Sequence, residues 1–283
     1  MFSATSNFSN QRQADLAGKV AVITGASRGI GRATALNLAS RGCSILGTCS
    51  KPDSIPLFDA LRDEAKAVTP PGSAEVKVVG IAADIFTPDC HQTITNALEQ
   101  HFSSRVDIFV NNAADPRPGT LGELTPEEIQ QSMVANIQTP VLIVDEFVKR
   151  KMFQPDSRII YISSIRSRQP WSGQLMYSVG KSAGESLCRT WAQAFGGREE
   201  KFAFMAGTTA NAVTVGLTRT ESVMSCPPEM IESFKDEFMP LQSIPRFGQP
   251  EDVADVIGLL CGRDGRWISG TVVSASGGGV KIG

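Results

Sequence analysis

Histidine is nearly absent: the 283-residue chain carries only His91 and His101. A multi-histidine metal site is therefore excluded, no metal is expected, and a Ser-His-Asp triad would have to use one of these two. The six cysteines, Cys43, Cys49, Cys90, Cys188, Cys226 and Cys261, form no C-x-x-C pair. At this chain length they read as buried reduced thiols rather than a disulfide framework. Neither sign of charge dominates, with 27 basic against 29 acidic side chains and a net charge of -2. That balance argues against a nucleic-acid surface or a polybasic membrane patch. No apolar run approaches the ~18 residues that span a bilayer. The opening MFSATSNFSNQRQADLAG holds no apolar core of secretory type. The expectation is a cytoplasmic protein with neither nucleic-acid nor membrane partners.

Hydrophobic residues make up 41% and charged residues 20%, enough apolar surface for a sizeable core. Residues 1–17 are polar and read as a frayed tail. From Gly18 onward short β-rich runs alternate with longer amphipathic ones. Strands are expected at Lys19–Thr24, Ser44–Thr48, Val76–Ala82, Asp107–Val110, Arg158–Ile162, Ala210–Val215 and Thr271–Ser274. Helices are expected at Ile30–Arg41, Leu57–Val68 (ended by Pro70-Pro71-Gly72), Pro88–Phe102, Pro126–Lys151, Ser172–Phe195 and Glu251–Cys261. Thr125 is the expected N-cap of the fourth helix, with Glu128 completing a capping box. The Val/Ile runs lack alternation, so the strands are covered on both faces. Repeated β-α-β order then gives an α/β fold: a single doubly wound, Rossmann-like parallel sheet with helices on both faces. One domain over 18–283 fits better than two, since no linker or fixed-period repeat is visible.

The first strand runs into Thr24-Gly25-Ala26-Ser27-Arg28-Gly29-Ile30-Gly31. Glycines at such a turn permit positive φ and let backbone N–H groups approach a pyrophosphate. The helix that follows presents its positive end to the same anion. An acid at the end of strand two would bind a ribose 2′-OH and repel a 2′-phosphate. Here the stretch is Thr48-Cys49-Ser50-Lys51, with no acid before Asp53. Arg28, Ser50 and Lys51 together favour a 2′-phosphate, hence NADP(H). Further on, Tyr177 and Lys181 stand four apart in a helical pattern and share one face. Ser164 ends strand five, thirteen residues before Tyr177.

The whole of TGASRGIG, with Ser164, Tyr177 and Lys181, resembles the short-chain dehydrogenase/reductase family, over about Gly18 to Gly279. The resemblance implies that Gly25, Ser27, Arg28, Gly29, Ile30 and Gly31 surround the dinucleotide phosphates. It implies that Asp84 and Ile85 meet the adenine, and that Asn111-Asn112-Ala113-Ala114 is the family's N-N-A-G element. Ala114 replaces the last glycine, which predicts altered loop geometry. Gly216, Thr218 and Thr220 match the segment that holds the carboxamide. Val215 replaces the usual proline before it, which predicts a looser loop. Asn136 matches a fourth catalytic residue that holds a water leading protons towards Lys181. Ser276 stands where many relatives carry Asp, so an effect on assembly is expected. A homotetramer or homodimer, built through the two long helices, is implied.

Reduction of a ketone needs a hydride at carbon and a proton at oxygen. A phenol titrates at about pH 10, too high for easy exchange at neutrality. An ammonium at Lys181 and an oxidised nicotinamide ring would favour the phenolate, so Tyr177 serves as acid in reduction and base in oxidation. Ser164 would donate a hydrogen bond to the carbonyl oxygen. The expected partner is a small carbonyl or alcohol substrate. Residues 221–245, with Met224, Phe234, Phe238 and Met239, are expected to form a lid. Arg117, Arg166 and Arg168 are expected at the mouth, as a solvated rim or as anion contacts. Two other classes of function share this framework. One is an elimination, isomerisation or cyclisation without net redox change; the other is a non-catalytic NADP(H)-binding protein. The complete Ser-Tyr-Lys set favours redox chemistry over both.

Overall fold

The computed structural model describes residues 14–69 and 75–282. Seven strands, all parallel, form one sheet in the order β3-β2-β1-β4-β5-β6-β7. They are β1 (Val20–Ile23), β2 (Ser44–Cys49), β3 (Val78–Ala82), β4 (Val106–Asn111), β5 (Phe153–Ser164), β6 (Thr209–Val215) and β7 (Val272–Ala275). β1, β4 and β6 are buried along their whole length, as expected of strands covered on both faces. Between them run α1 (Gly29–Ala39), α2 (Leu57–Val68), α3 (Cys90–Phe102), α4 (Pro126–Met133), α5 (Thr139–Lys149), α6 (Leu175–Phe195), α7 (Glu221–Met224), α8 (Pro228–Phe238) and α9 (Pro250–Cys261).

The core lies in two layers. On one face Leu38 of α1, Phe58 and Leu61 of α2, and Ile257 and Leu260 of α9 pack against the strands. On the other, Ile94 and Leu98 of α3, Ile143 and Phe147 of α5, and Cys188 and Trp191 of α6 do so. Phe109, Phe147 and Phe153 meet edge to face, with centroids 5.6 and 5.4 Å apart. The strand order reverses between β1 and β4, and the carboxyl ends on either side of that point form the crevice where such sheets bind ligands.

The expected single helix over Pro126–Lys151 is interrupted. Its start is as expected: Thr125 accepts from Glu128 N–H, and the Glu128 carboxylate accepts from Thr125 N–H. Over Val134–Gln138 the helix widens into a π turn, in which Thr139 N–H donates back to Val134 O. Pro140 has no N–H, so the Asn136 carbonyl lacks its ordinary helical donor. The Tyr161 hydroxyl of β5 donates to it instead, at 3.1 Å.

Other boundaries differ for local reasons. β5 begins at Phe153, five residues early, with a left-handed Asp156 (φ 59°) and a register shift before Arg158. The tail expectation set its end at 17. Leu16, however, is buried, its N–H bonds to Arg41 O, and Asp15 pairs with Arg41 at 2.6 Å. Residues 1–13 and the Pro70-Pro71-Gly72 stop lie outside the described residues. Gly196–Thr209 forms a 3₁₀ segment (Glu200–Met205) whose Phe202 stacks edge-on against Phe195 at 4.9 Å and covers one layer of the core.

Candidate active site

The glycine turn joins β1 to α1. Gly25 (φ 68°) and Gly29 (φ 56°) hold left-handed backbone, and a Cβ at Gly31 would strike the Gly25 carbonyl and the Asn112 side chain. Asn112, which the motif reading named without assigning a role, braces this turn. Its Nδ2 donates to Thr24 O (2.9 Å) and Gly25 O (3.1 Å), and Thr24 Oγ1 accepts from the N–H groups of Asn112 and Ala113. The start of α1 carries no side-chain cap and no acid in its first turn. Its amide dipoles are thus left for an external anion, and the cradle fits a dinucleotide pyrophosphate. Ser27 is buried beside the turn, and Ile30 lines the cleft.

Arg28, Ser50 and Lys51 are all exposed at the end of β2. The Arg28 charge reaches Cys49, the last residue of β2, which places it beside that strand end. Among the described residues neither Arg28 nor Lys51 has an ion-pair partner closer than 4.0 Å. Asp84 follows β3 and turns one carboxylate oxygen onto the Phe86 N–H, while Ile85 O accepts from Thr139. Asn111 ends β4, and Ala113 and Ala114 follow it. Ala114 lines the cleft with φ outside the left-handed region, so the missing glycine leaves no strain there. Val215 is a ladder residue of β6, in register with Ser164 and Ala275. The residue that replaces the proline is thus part of the sheet, and the loop begins after it. Gly216 packs against the Ser276 backbone, Thr218 donates to Gly216 O, and Thr220 caps α7 by accepting from Val223 N–H.

Ser164, Tyr177 and Lys181 come together at one wall of a cleft of about 310 Å³ that also takes in Gly216, Thr218 and Thr220. Ser164 Oγ accepts the Arg166 N–H at 3.2 Å, so its hydroxyl proton is turned towards the cleft side where Tyr177 stands. Lys181 is buried and donates from Nζ to Ile162 O at 2.6 Å. Burial pushes its pKa down to about 7. Its Nζ also stands 5.4 Å from the centre of the Tyr177 ring. Burial raises Tyr177, and the influences that lower it are the Ser164 hydrogen bond and the Arg166 charge.

Asn136 sits in the π turn. Its Oδ1 accepts from Asp115 N–H (2.8 Å), and its Nδ2 donates to Asp115 O and Ser132 Oγ, both at 3.1 Å. Every polar group of that side chain is engaged with protein, and its carbonyl takes Tyr161. Through these bonds Asn136 pins the loop after β4. Of the three mouth arginines, Arg117 and Arg168 are exposed as a rim and Arg166 is buried, and all three are ion-paired. Arg117 forks onto Asp115, Arg168 binds buried Glu185 at 2.6 Å, and Arg166 binds Glu237 of α8. Glu237 had no signal in the sequence, since its partner lies 71 residues away. Over the cleft, Phe238 packs with Ile165, Leu217 and Val280, and Phe234 lines the opening. Ser276 accepts from Val280 N–H and shares a hydrogen bond with Ser274, which secures the last turn within the chain.

The chain belongs to the short-chain dehydrogenase/reductase family of oxidoreductases: a family model described as "Enoyl-(Acyl carrier protein) reductase" matches residues 25–279. Among curated relatives, the short chain dehydrogenase penD of Penicillium thymicola is 35% identical over 93% of this chain and 92% of its own. The L-xylulose reductase of Aspergillus niger is 31% identical over 93% and 97%. Among solved structures, the angucycline C-6 ketoreductase LanV with bound NADP superposes with a TM-score of 0.81 at 27% identity, covering 95% of this chain and 98% of that one. A blue fluorescent protein from a metagenomic library, in complex with NADPH, gives 0.80 at 29% identity, covering 94% and 100%. Among the described residues no helix is long and apolar enough to cross a membrane, and no His/Cys/Asp/Glu group could hold a metal.

Proposed function

We propose that the protein is an NADP(H)-dependent oxidoreductase that interconverts a ketone and a secondary alcohol, with Tyr177 as general acid and base. The observation that carries this is the meeting of Ser164, Tyr177 and Lys181 at one wall of a cleft that runs to the glycine turn. NADPH, when bound, supplies the hydride. Gly25, Ser27, Gly29, Ile30 and Gly31 would hold its pyrophosphate, and Arg28, Ser50 and Lys51 its 2′-phosphate. Asp84, Ile85, Asn111 and Ala113 would border the adenosine half. Gly216, Thr218 and Thr220 would hold the carboxamide.

Ser164 would donate to the substrate oxygen, since its lone pair already takes the Arg166 N–H. Tyr177 would pass its proton to that oxygen. Lys181, buried and titrating near neutrality, would bind the ribose and supply positive charge as the phenolate forms. Asn136 would hold the Asp115 loop that borders the substrate side. Residues 221–245 would act as the lid, with Phe234 and Phe238 facing an apolar part of the substrate. Exposed Val141 on α5 and Val179 on α6 suit a subunit contact through these helices, and a dimer or tetramer built there is part of this reading.

The test is a fluorescence titration with NADPH and NADH, followed by a ketone panel with each cofactor and with none. NADPH binding in preference to NADH, and ketone reduction that consumes it, is the expected result. Conversion without cofactor would replace this reading by a redox-neutral reaction. Tight binding with no turnover of any ketone or alcohol would replace it by a non-catalytic role.

A further inference from the structure

Arg166 is placed unusually for a cation. It is 5% exposed, lies two residues beyond Ser164, and lines the same cleft as Tyr177. Its guanidinium packs over the Phe238 ring at 4.5 Å and the Trp171 ring at 5.3 Å. Both its terminal nitrogens bind Glu237 of the lid helix, at 2.7 and 3.1 Å. Glu237 is itself more than a third exposed on its outer side. One buried cation thus lines the cleft of the proton-transfer group, donates its backbone N–H to Ser164 Oγ, and binds the lid's carboxylate. We propose that Arg166 is a positioning residue whose ion pair with Glu237 couples the seating of lid helix α8 to the proton affinity of Tyr177.

The coupling follows from charge. With α8 seated, the Glu237 carboxylate offsets part of the guanidinium field at the phenol. Tyr177 then stays protonated, as a reductase needs it to be while the cleft is closed. Once its proton has passed to the substrate oxygen, a phenolate faces Arg166 and competes with Glu237 for the same charge. If Glu237 pairing disfavours the phenolate, the phenolate must disfavour Glu237 pairing by the same free energy. The latch therefore weakens after proton transfer, when product has to leave. Lys181 also stands at the phenol, its Nζ 5.4 Å from the centre of the Tyr177 ring, but it is bound to β5 and not to the lid. On α6, Lys181 bonds to the Ile162 carbonyl, and Glu185 is held by Arg168, Ser163 and Ser167. After β4, Asp115 and Arg117 close on each other. Beneath, Tyr161 is bound to two carbonyls, and burial raises its pKa far out of range. This inference rests on the assignment of Tyr177 as the proton-transfer group.

The chain has only two tyrosines, Tyr161 and Tyr177, so tyrosinate absorbance reads the site directly and needs no substrate. The purified full-length protein is titrated as wild type, Glu237→Gln, Arg166→Met, Arg166→Lys and the Arg166→Met/Glu237→Gln double variant. Tyr177→Phe serves as the spectral blank, and circular dichroism confirms the fold. Removing the carboxylate exposes the guanidinium charge, so Glu237→Gln should lower the Tyr177 midpoint by ~0.5 pH unit or more. Removing the cation should raise it by on the order of one pH unit. Arg166→Lys keeps the charge and should stay nearer wild type than Arg166→Met. The double variant should match Arg166→Met, because Glu237 acts through Arg166. A purely structural latch would move both single variants the same way or neither. Either result overturns the coupling, as would a double variant that differs from Arg166→Met by the full Glu237→Gln shift. Should an Arg166 variant fail to fold, Glu237→Gln alone decides by the sign of its shift. Turnover by Tyr177→Phe would instead remove the assignment beneath the proposal, an outcome separate from unmoved midpoints.

Discussion

Tyr161→Phe removes one oxygen atom from the centre of the molecule, and its cost can be worked from the bonds it makes. The side chain is 1% exposed, and its hydroxyl donates to Asn136 O at 3.1 Å and Gly180 O at 3.3 Å. Gly180 lies inside α6 and keeps its helical partner. Asn136 O cannot take the ordinary helical donor four residues on, because that residue is Pro140. Phenylalanine preserves the ring and its packing, so the loss is one buried carbonyl left unsatisfied, about 2 kcal/mol. For a protein of this size that lowers the thermal midpoint by roughly 4–8 °C. Urea unfolding followed by tryptophan fluorescence measures it. The ring itself fills the space above Gly184, where a Cβ would overlap it. Gly184→Ala should therefore cost ~1–3 kcal/mol by overpacking. That cost should largely vanish in a Tyr161→Val background, a coupling of at least ~1 kcal/mol. A Tyr161→Phe midpoint equal to wild type would refute the account of the π turn as held open by this hydroxyl.

Further outcomes are expected elsewhere. Arg28→Ala with Lys51→Ala should weaken NADPH binding by tenfold or more and leave NADH binding little changed; equal losses for both would refute the 2′-phosphate assignment. Between about pH 7 and the ordinary lysine value, the unfolded chain holds a proton on Lys181 that the folded chain has lost. Stability of the cofactor-free protein should therefore rise with pH across that window, and Lys181→Met should remove that part of the slope. Cys43, Cys90, Cys188 and Cys261 are all raised by burial and oppose the rise above about pH 9, so the difference between wild type and variant is the quantity to follow. Asn136→Ala should leave Asp115 N–H and C=O unpaired. It should reduce turnover more than NADPH affinity, because the loop it frees borders the substrate side.

Much of this architecture is legible in the sequence because parallel strands buried on both faces leave uninterrupted Val and Ile runs. Tyr177 and Lys181 are legible because a helix puts residues four apart on one face, and the turn is legible from glycines whose geometry few residues can adopt. What is not legible depends on partners distant in the chain. The π turn arises where the lost donor of Pro140 is answered by Tyr161, a strand residue that looks like ordinary core. The pairing of Arg166 with Glu237 has no local pattern, and from sequence Arg166 is one more rim charge. Leu16 reads as tail because its anchor, Arg41, lies 25 residues on, just past the end of α1.

The central claim, that Tyr177 transfers the proton, is tested most directly by Tyr177→Phe on a ketone that the wild type reduces. NADPH affinity should stay within a few-fold of wild type, because the turn and strand-end residues that hold the nucleotide are untouched. Ketone reduction should fall by ~100-fold or more, the usual worth of a positioned general acid. A variant that binds NADPH normally and retains most of its turnover would contradict the account.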